Sequence, residues 1–167
     1  TNPIDKWSCD DTLLCTKSRN GKYDSLSECQ DGCLPLENYF ILTSRNLGTE
    51  SCVEAQQNNT VKLNSNCDSH NKNLLWKKIP LDVDRYMLLN PNTNMCIETN
   101  TDNGYKVHMK PCSKSINTQK WFFDKNNNNF KITPETVIPM ELTAITEGWL
   151  VTDNPVGQNY PWSFKNI

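Results

Sequence analysis

The 167-residue sequence predicts an all-β fold of three repeats, preceded by a small disulfide-stapled module with one short helix. Three observations carry that expectation. Tryptophan recurs at Trp76, Trp121 and Trp162, at spacings of 45 and 41 residues. Cysteine keeps the same step, with 44 residues from Cys52 to Cys96 and 45 from Cys67 to Cys112. Between these markers lie short apolar runs separated by Asn, Gly, Pro and Asp turns, with no amphipathic helix visible beyond residue 37. A period in this range signals supersecondary units that bury a core only together.

The repeats run over about 37–80, 81–125 and 126–167. The first holds strands at Phe40-Ile41-Leu42 and Val61-Lys62-Leu63. The second holds them at Tyr86-Met87-Leu88-Leu89 and Tyr105-Lys106-Val107-His108-Met109. The third holds them at Phe130-Lys131-Ile132 and Trp149-Leu150-Val151. Asn126 to Asn129 reads as a hairpin tip, because Asn tolerates positive φ. Cys52-Val53-Glu54 recurs as Cys96-Ile97-Glu98 and, without cysteine, as Pro139-Met140-Glu141. Each unit closes on a tryptophan: Leu74-Leu75-Trp76, Gln119-Lys120-Trp121 and Tyr160-Pro161-Trp162. One large ring per unit fills a shared core, so these three are packing residues.

Residues 1–36 form the stapled module, bounded by Leu34 to Asn38 with its Pro35. Ser25 followed by Glu28 is a capping box opening a helix from Leu26 to Cys33. Extended segments at Trp7-Ser8-Cys9 and Leu13-Leu14-Cys15 precede it, with Asn20-Gly21 as the turn. About 36 residues bury too little apolar area alone, and two bridges are the expected remedy. Cys29 and Cys33 share one helix face, so Cys9–Cys29 and Cys15–Cys33 are expected, since a bridge between helix neighbours strains the geometry. In the repeats, Cys52–Cys67 and Cys96–Cys112 each close one loop inside their own unit, 15 and 16 residues apart.

Charge and motifs exclude several classes. The net charge is −2 and the pI about 5.7, against the basic excess of a phosphate-backbone binder, so no nucleic-acid partner is expected. No apolar stretch reaches the ~20 residues of a membrane span. Thr1-Asn2-Pro3 does not look like a signal peptide, which reads as a processed chain. Among eight cysteines the close pair Cys29-x3-Cys33 stands alone, and His70 and His108 lie far from it, which points to disulfides rather than zinc, hence to a secreted protein. The sequon Asn58-Asn59-Thr60 marks Asn58 for glycosylation in that compartment. The sequence lacks a Gly-x-Ser-x-Gly elbow, a His-Glu-x-x-His pair, a phosphate loop and a calcium loop. We expect no enzyme, cofactor or metal.

The Cys-aliphatic-acid motif, the second cysteine and the closing Gln-x-Trp resemble the ricin-type β-trefoil lectins over about 130 of the 167 residues. The stretches Phe40 to Leu42, Cys52 to Ala55 and Asn117 to Trp121 look closest to the cysteine-rich domain of the mannose-receptor family. Asn20 to Cys33 is similar to the C-terminal half of a Kunitz domain, without the half that carries the reactive loop. The trefoil resemblance implies a glycan or glycoprotein partner. It assigns the corner acids to Glu54, Glu98 and Glu141, and places Asn64, Lys110 and Asn154 where the family carries a stacking aromatic. Glu98, His108, Lys110, Asn117 and Gln119 form the fullest set. With Lys106 and Lys114 nearby, that set suits an anionic or N-acetylhexosamine glycan. In the third unit Glu141 and Tyr160 stand with Trp149, Gln158 and Asn159, and Trp149 aligns with Tyr105 as a strand residue. A scaffold that associates with itself and a protease inhibitor are the alternatives.

Overall fold

The computed structural model describes residues 6–9, 15–33, 39–45, 48–82, 84–100, 106–136, 139–145, 147–153 and 160–167. Three four-stranded units follow a small N-terminal hairpin and helix. The first unit contains β3 (Phe40–Ser44), β4 (Ser51–Ala55), β5 (Val61–Asn64) and β6 (Leu75–Pro80). The second contains β7 (Arg85–Asn90), β8 (Met95–Thr99), β9 (Val107–Pro111) and β10 (Trp121–Asn126). The third contains β11 (Asn129–Pro134), β12 (Glu141–Ala144), β13 (Leu150–Asp153) and β14 (Trp162–Asn166). The predicted strands fall within or beside these elements. Tyr105, Leu13, Leu14 and the Leu34–Asn38 boundary lie outside the described residues.

First and last strands of the units close a six-stranded barrel. β3 pairs with β6, β6 with β7, β7 with β10, β10 with β11, β11 with β14, and β14 returns to β3. Closure leaves no sheet edge around the barrel. The middle strands form hairpins β4–β5, β8–β9 and β12–β13. This is the β-trefoil. Asn126 faces Asn129 at the predicted hairpin tip, with Asn127 at φ 56°.

The core follows from strand alternation. Phe40 and Leu42 point into the barrel with Val53, Leu88, Ile97, Ile132 and the three closing tryptophans, each of which is 0% exposed. Ile41 faces the other way, into a second cluster with Leu75, Ile79, Leu89, Cys52 and Cys96. β3 is therefore buried on both faces. The cluster of Phe40, Phe123, Phe130 and Phe164 packs edge-on and tilted at centroid separations of 4.3–6.2 Å. Lys78 lies 4.8 Å from the Phe164 ring and 5.4 Å from the Phe123 ring, where burial lowers its pKa.

At the N-terminus β1 (Lys6–Cys9) pairs with β2 (Cys15–Ser18), and α1 (Leu26–Cys33) lies against them. The Ser25 hydroxyl accepts from the Glu28 amide at 3.1 Å, and the Glu28 carboxylate takes the Asp24 amide at 3.0 Å. Gly21 is required because a Cβ there would stand 2.6 Å from the Trp7 backbone. The helix meets the second unit through Gln30 Nε2, which donates to the Pro91 carbonyl at 2.7 Å. Tyr39 beside this seam is 4% exposed, and burial with the nearby Asp31 carboxylate pushes its pKa up to about 12.

The disulfides in the repeats join Cys52 to Cys67 and Cys96 to Cys112. The module departs from expectation: its bridges are Cys9–Cys33 and Cys15–Cys29, not Cys9–Cys29 and Cys15–Cys33. Cys9 and Cys15 are cross-strand partners, so both present sulfur to the same helix end. The inward helix residue Cys29 meets the buried Cys15, and Cys33 in the last turn meets the more exposed Cys9. No helix among the described residues is long and apolar enough to cross a membrane.

Peptide mapping of the unreduced protein should recover Cys9–Cys33 and Cys15–Cys29 linkages. Trp121→Ala, at a 0% exposed core position, should lower stability by about 3–5 kcal/mol in urea titrations.

Candidate functional site

Each closing tryptophan donates its indole N–H to a carbonyl in the first strand of its own hairpin. Trp76 reaches Val53 O at 2.8 Å, Trp121 reaches Ile97 O at 3.1 Å and Trp162 reaches Leu142 O at 2.9 Å. Val53, Ile97 and Leu142 are thus equivalent, and the residues after them share one corner: Glu54, Glu98 and Thr143. Strand pairing agrees, because Cys52 faces Asn64, Cys96 faces Lys110 and Glu141 faces Asp153. Pro139-Met140-Glu141 is therefore not the third copy of the acidic motif. Glu141 stands in the cysteine position, and a threonine stands where the acid belongs. Without a cysteine to mark the offset, the nearest acid in the sequence lies two residues early.

The first corner is filled by the protein's own amides. The Glu54 carboxylate accepts from Gln56 Nε2 at 2.6 Å, Asn64 Nδ2 at 2.9 Å and Asn71 Nδ2 at 2.9 Å. Asn71 also caps a 3-10 turn at Lys72–Leu74. A carboxylate offers about four acceptor sites, so three are committed.

The second corner is held but open. Glu98 accepts from Thr118 Oγ1 at 3.1 Å and from Gln119 Nε2 at 3.0 Å. Gln119 is 0% exposed and its other bonds fix it: Nε2 also donates to Pro111 O at 2.9 Å, and Oε1 accepts from the Ser113 amide at 2.9 Å. Both groups sit on the 3-10 turn Asn117–Gln119 that leads into Trp121. His108 is the cross-strand partner of Glu98, which puts the two side chains on one face. Lys110 follows on that face and is exposed. The Nδ1 of His108 is buried without a hydrogen-bond partner. Asn117 is displaced from this set: it is exposed, and its Oδ1 accepts from Lys120 Nζ at 2.9 Å. Thr118, which sequence reasoning missed, takes its place.

The third corner presents Thr143. Glu141 and Tyr160 do come together, but around a lysine. Lys131 Nζ lies 3.5 Å from Glu141 Oε1 and 5.0 Å from the Tyr160 ring centroid, while the Tyr160 hydroxyl donates to Asp124 at 3.3 Å. Asn154, Gln158 and Asn159 lie outside the described residues. Of the positions expected to stack on a sugar, Asn64 stands opposite Cys52 and Lys110 opposite Cys96, but in the third unit the equivalent place opposite Glu141 is held by Asp153 and not by Asn154. Asn58 is exposed in the turn before β5, where its side chain accepts from the Thr60 hydroxyl.

Trp149 also differs from expectation. Isolated bridges pair Thr60 with His108, Lys106 with Val151 and Lys62 with Trp149. Each links one unit to the next, so the counterpart of Trp149 is Lys106 rather than Tyr105. Gly148 at φ +89° makes this approach, accepting the Leu63 amide at 2.8 Å.

Comparison with known proteins follows the same lines. The designed three-fold symmetric protein ThreeFoil superimposes with a TM-score of 0.64 at 15% identity, over 78% of this chain and 99% of that one. The Polyporus squamosus lectin, solved with the epitope Neu5Aca2-6Galb1-4GlcNAc, gives 0.63 at 16% identity, over 78% of this chain and 49% of the lectin. SeviL, solved with asialo-GM1 saccharide, gives 0.60 at 12% identity, over 77% and 97%. At these identities the likeness is one of fold. The chain spans about half the length of the Polyporus lectin. No curated protein matches the sequence. Residues 40–141, more than half of the chain, match the ricin-type beta-trefoil lectin domain model, and the chain belongs to that family.

Proposed function

We propose that this protein is a secreted carbohydrate-binding module, without catalysis of its own, that takes an anionic or N-acetylhexosamine glycan at its second corner. Family membership supports carbohydrate binding in general. Four disulfides fit an oxidising extracellular compartment.

The unequal state of the corners carries the choice of unit. Glu54 is committed to three internal amides, and Thr143 offers no charge. Glu98 keeps about two acceptor sites for sugar hydroxyls after Thr118 and Gln119 have taken theirs. Lys110 adds an exposed ammonium, and His108 a partly exposed imidazole on the same strand face. On a chain of net charge −2, this local cation suits a sulfate or carboxylate better than a neutral ring alone. A scaffold that associates with its own copies is the second reading. The closed first corner and the missing third acid favour it, and a mass that rises with concentration would reveal it.

Calorimetry with 6-sulfo-N-acetylglucosamine and N-acetylglucosamine tests the first reading. The double change His108→Ala with Lys110→Ala should weaken the sulfated ligand about tenfold or more, and Glu98→Gln should weaken both. Sulfated-ligand affinity should fall with added salt; binding indifferent to the double change would remove the assignment. Separately, Gln119→Ala removes three buried partners and should cost about 2–4 kcal/mol in the urea midpoint.

A further inference from the structure

The strands β5, β9 and β13 close a small ring about the pseudo-threefold axis, on the barrel end that the hairpins cover. Three bridges link unit to unit there, and the Met109 amide donates to Asn59 O at 2.7 Å. Thr60, Lys106 and Trp149 occupy equivalent places in this ring. The residues after them, Val61, Val107 and Leu150, are buried in the core at 1%, 3% and 1% exposure. Strand alternation therefore turns Thr60, Lys106 and Trp149 to the outer side.

A cavity of about 380 Å³ lies on that side, lined in part by Trp149, His108, Lys106, Glu147, Asn58 and Thr60. Its size falls within the range of small-molecule sites. Trp149 is partly exposed. Lys62, which does not line the cavity, lies with Nζ 5.0 Å from the indole centroid. His108 lines the cavity with a partly exposed imidazole, whose accessible ring edge can hydrogen-bond a ligand hydroxyl.

A pyranose ring asks for an aromatic face and for mixed donors and acceptors around its hydroxyls. The three corners hold Asn64, Lys110 and Asp153 at the stacking position, so none supplies the aromatic there. The axial cavity supplies it, with Lys106 and His108 to donate and Glu147 to accept. His108 belongs to both places, standing opposite Glu98 and lining the cavity. We propose that the axial cavity is a carbohydrate subsite that stacks one pyranose on Trp149. The glycan then continues across His108 into the Glu98 corner, and the protein reads at least two consecutive sugars. This rests on the corner assignment made above.

The full chain, produced in a host that does not glycosylate Asn58, is titrated with 6-sulfo-N-acetylglucosamine and with the disaccharide 6-sulfo-N-acetyllactosamine. The disaccharide should bind about five- to tenfold tighter than the monosaccharide. Trp149→Ala should erase that gain and leave monosaccharide affinity unchanged. Trp149→Phe should restore part of it, and circular dichroism verifies that both variants are folded. Equal affinity for the two sugars, or a gain that persists in Trp149→Ala, overturns the subsite and leaves the corner standing. Disaccharide binding lost in Trp149→Ala but untouched by Glu98→Gln overturns the corner and keeps the axial site. Failure of the wild-type protein to bind either sugar overturns both.

Discussion

The hydrogen bond from each closing indole to the second strand of its own unit is the constraint on which the rest of the structure depends. Trp76, Trp121 and Trp162 are wholly buried, so an unpaired N–H on any of them would carry the cost of a desolvated donor. Meeting that demand ties each hairpin to the barrel at one carbonyl and one register. The residue after the carbonyl is then thrown outward, whatever it is. The threefold symmetry of the molecule is thus a symmetry of three buried hydrogen bonds. The corner residues stand outside it and are free to differ as Glu, Glu and Thr.

That freedom explains why one fold carries three unlike rims. The first has turned its carboxylate inward onto neighbouring amides, the second keeps a half-committed acid beside a histidine, and the third has exchanged acid for hydroxyl. Aromatic residues have a different distribution. Phe40, Phe123, Phe130 and Phe164 concentrate in one cluster with Lys78 over two of its rings, while Trp149 stands apart at the axis.

Much of this was legible in the sequence because it repeats. The spacing of Trp76, Trp121 and Trp162 announced three units and a common core, and alternation located most of the strands. What failed had local geometry behind it. The module's four sulfurs lie within 4.8 Å of one another, so spacing could not choose between pairings; the buried face of the hairpin did. Asn117 and Thr118 are neighbours in a 3-10 turn of about three residues per turn, which points their side chains in different directions. The third acid was misplaced because identity of residue was followed where identity of hydrogen bond decides. Trp149 was hidden because only the bridges between units reveal that it faces outward.

Glu141 stands where the other units place Cys52 and Cys96, and there it meets Lys131 across 3.5 Å, with both side chains 16% exposed. Two units carry a covalent bond at this position, joining Cys52 to Cys67 and Cys96 to Cys112, and the third carries an ion pair that ties it to the first strand of its own unit instead. Salt therefore acts on the three units unevenly. It screens the one contact at Glu141 and leaves the bridges at Cys52 and Cys96 untouched.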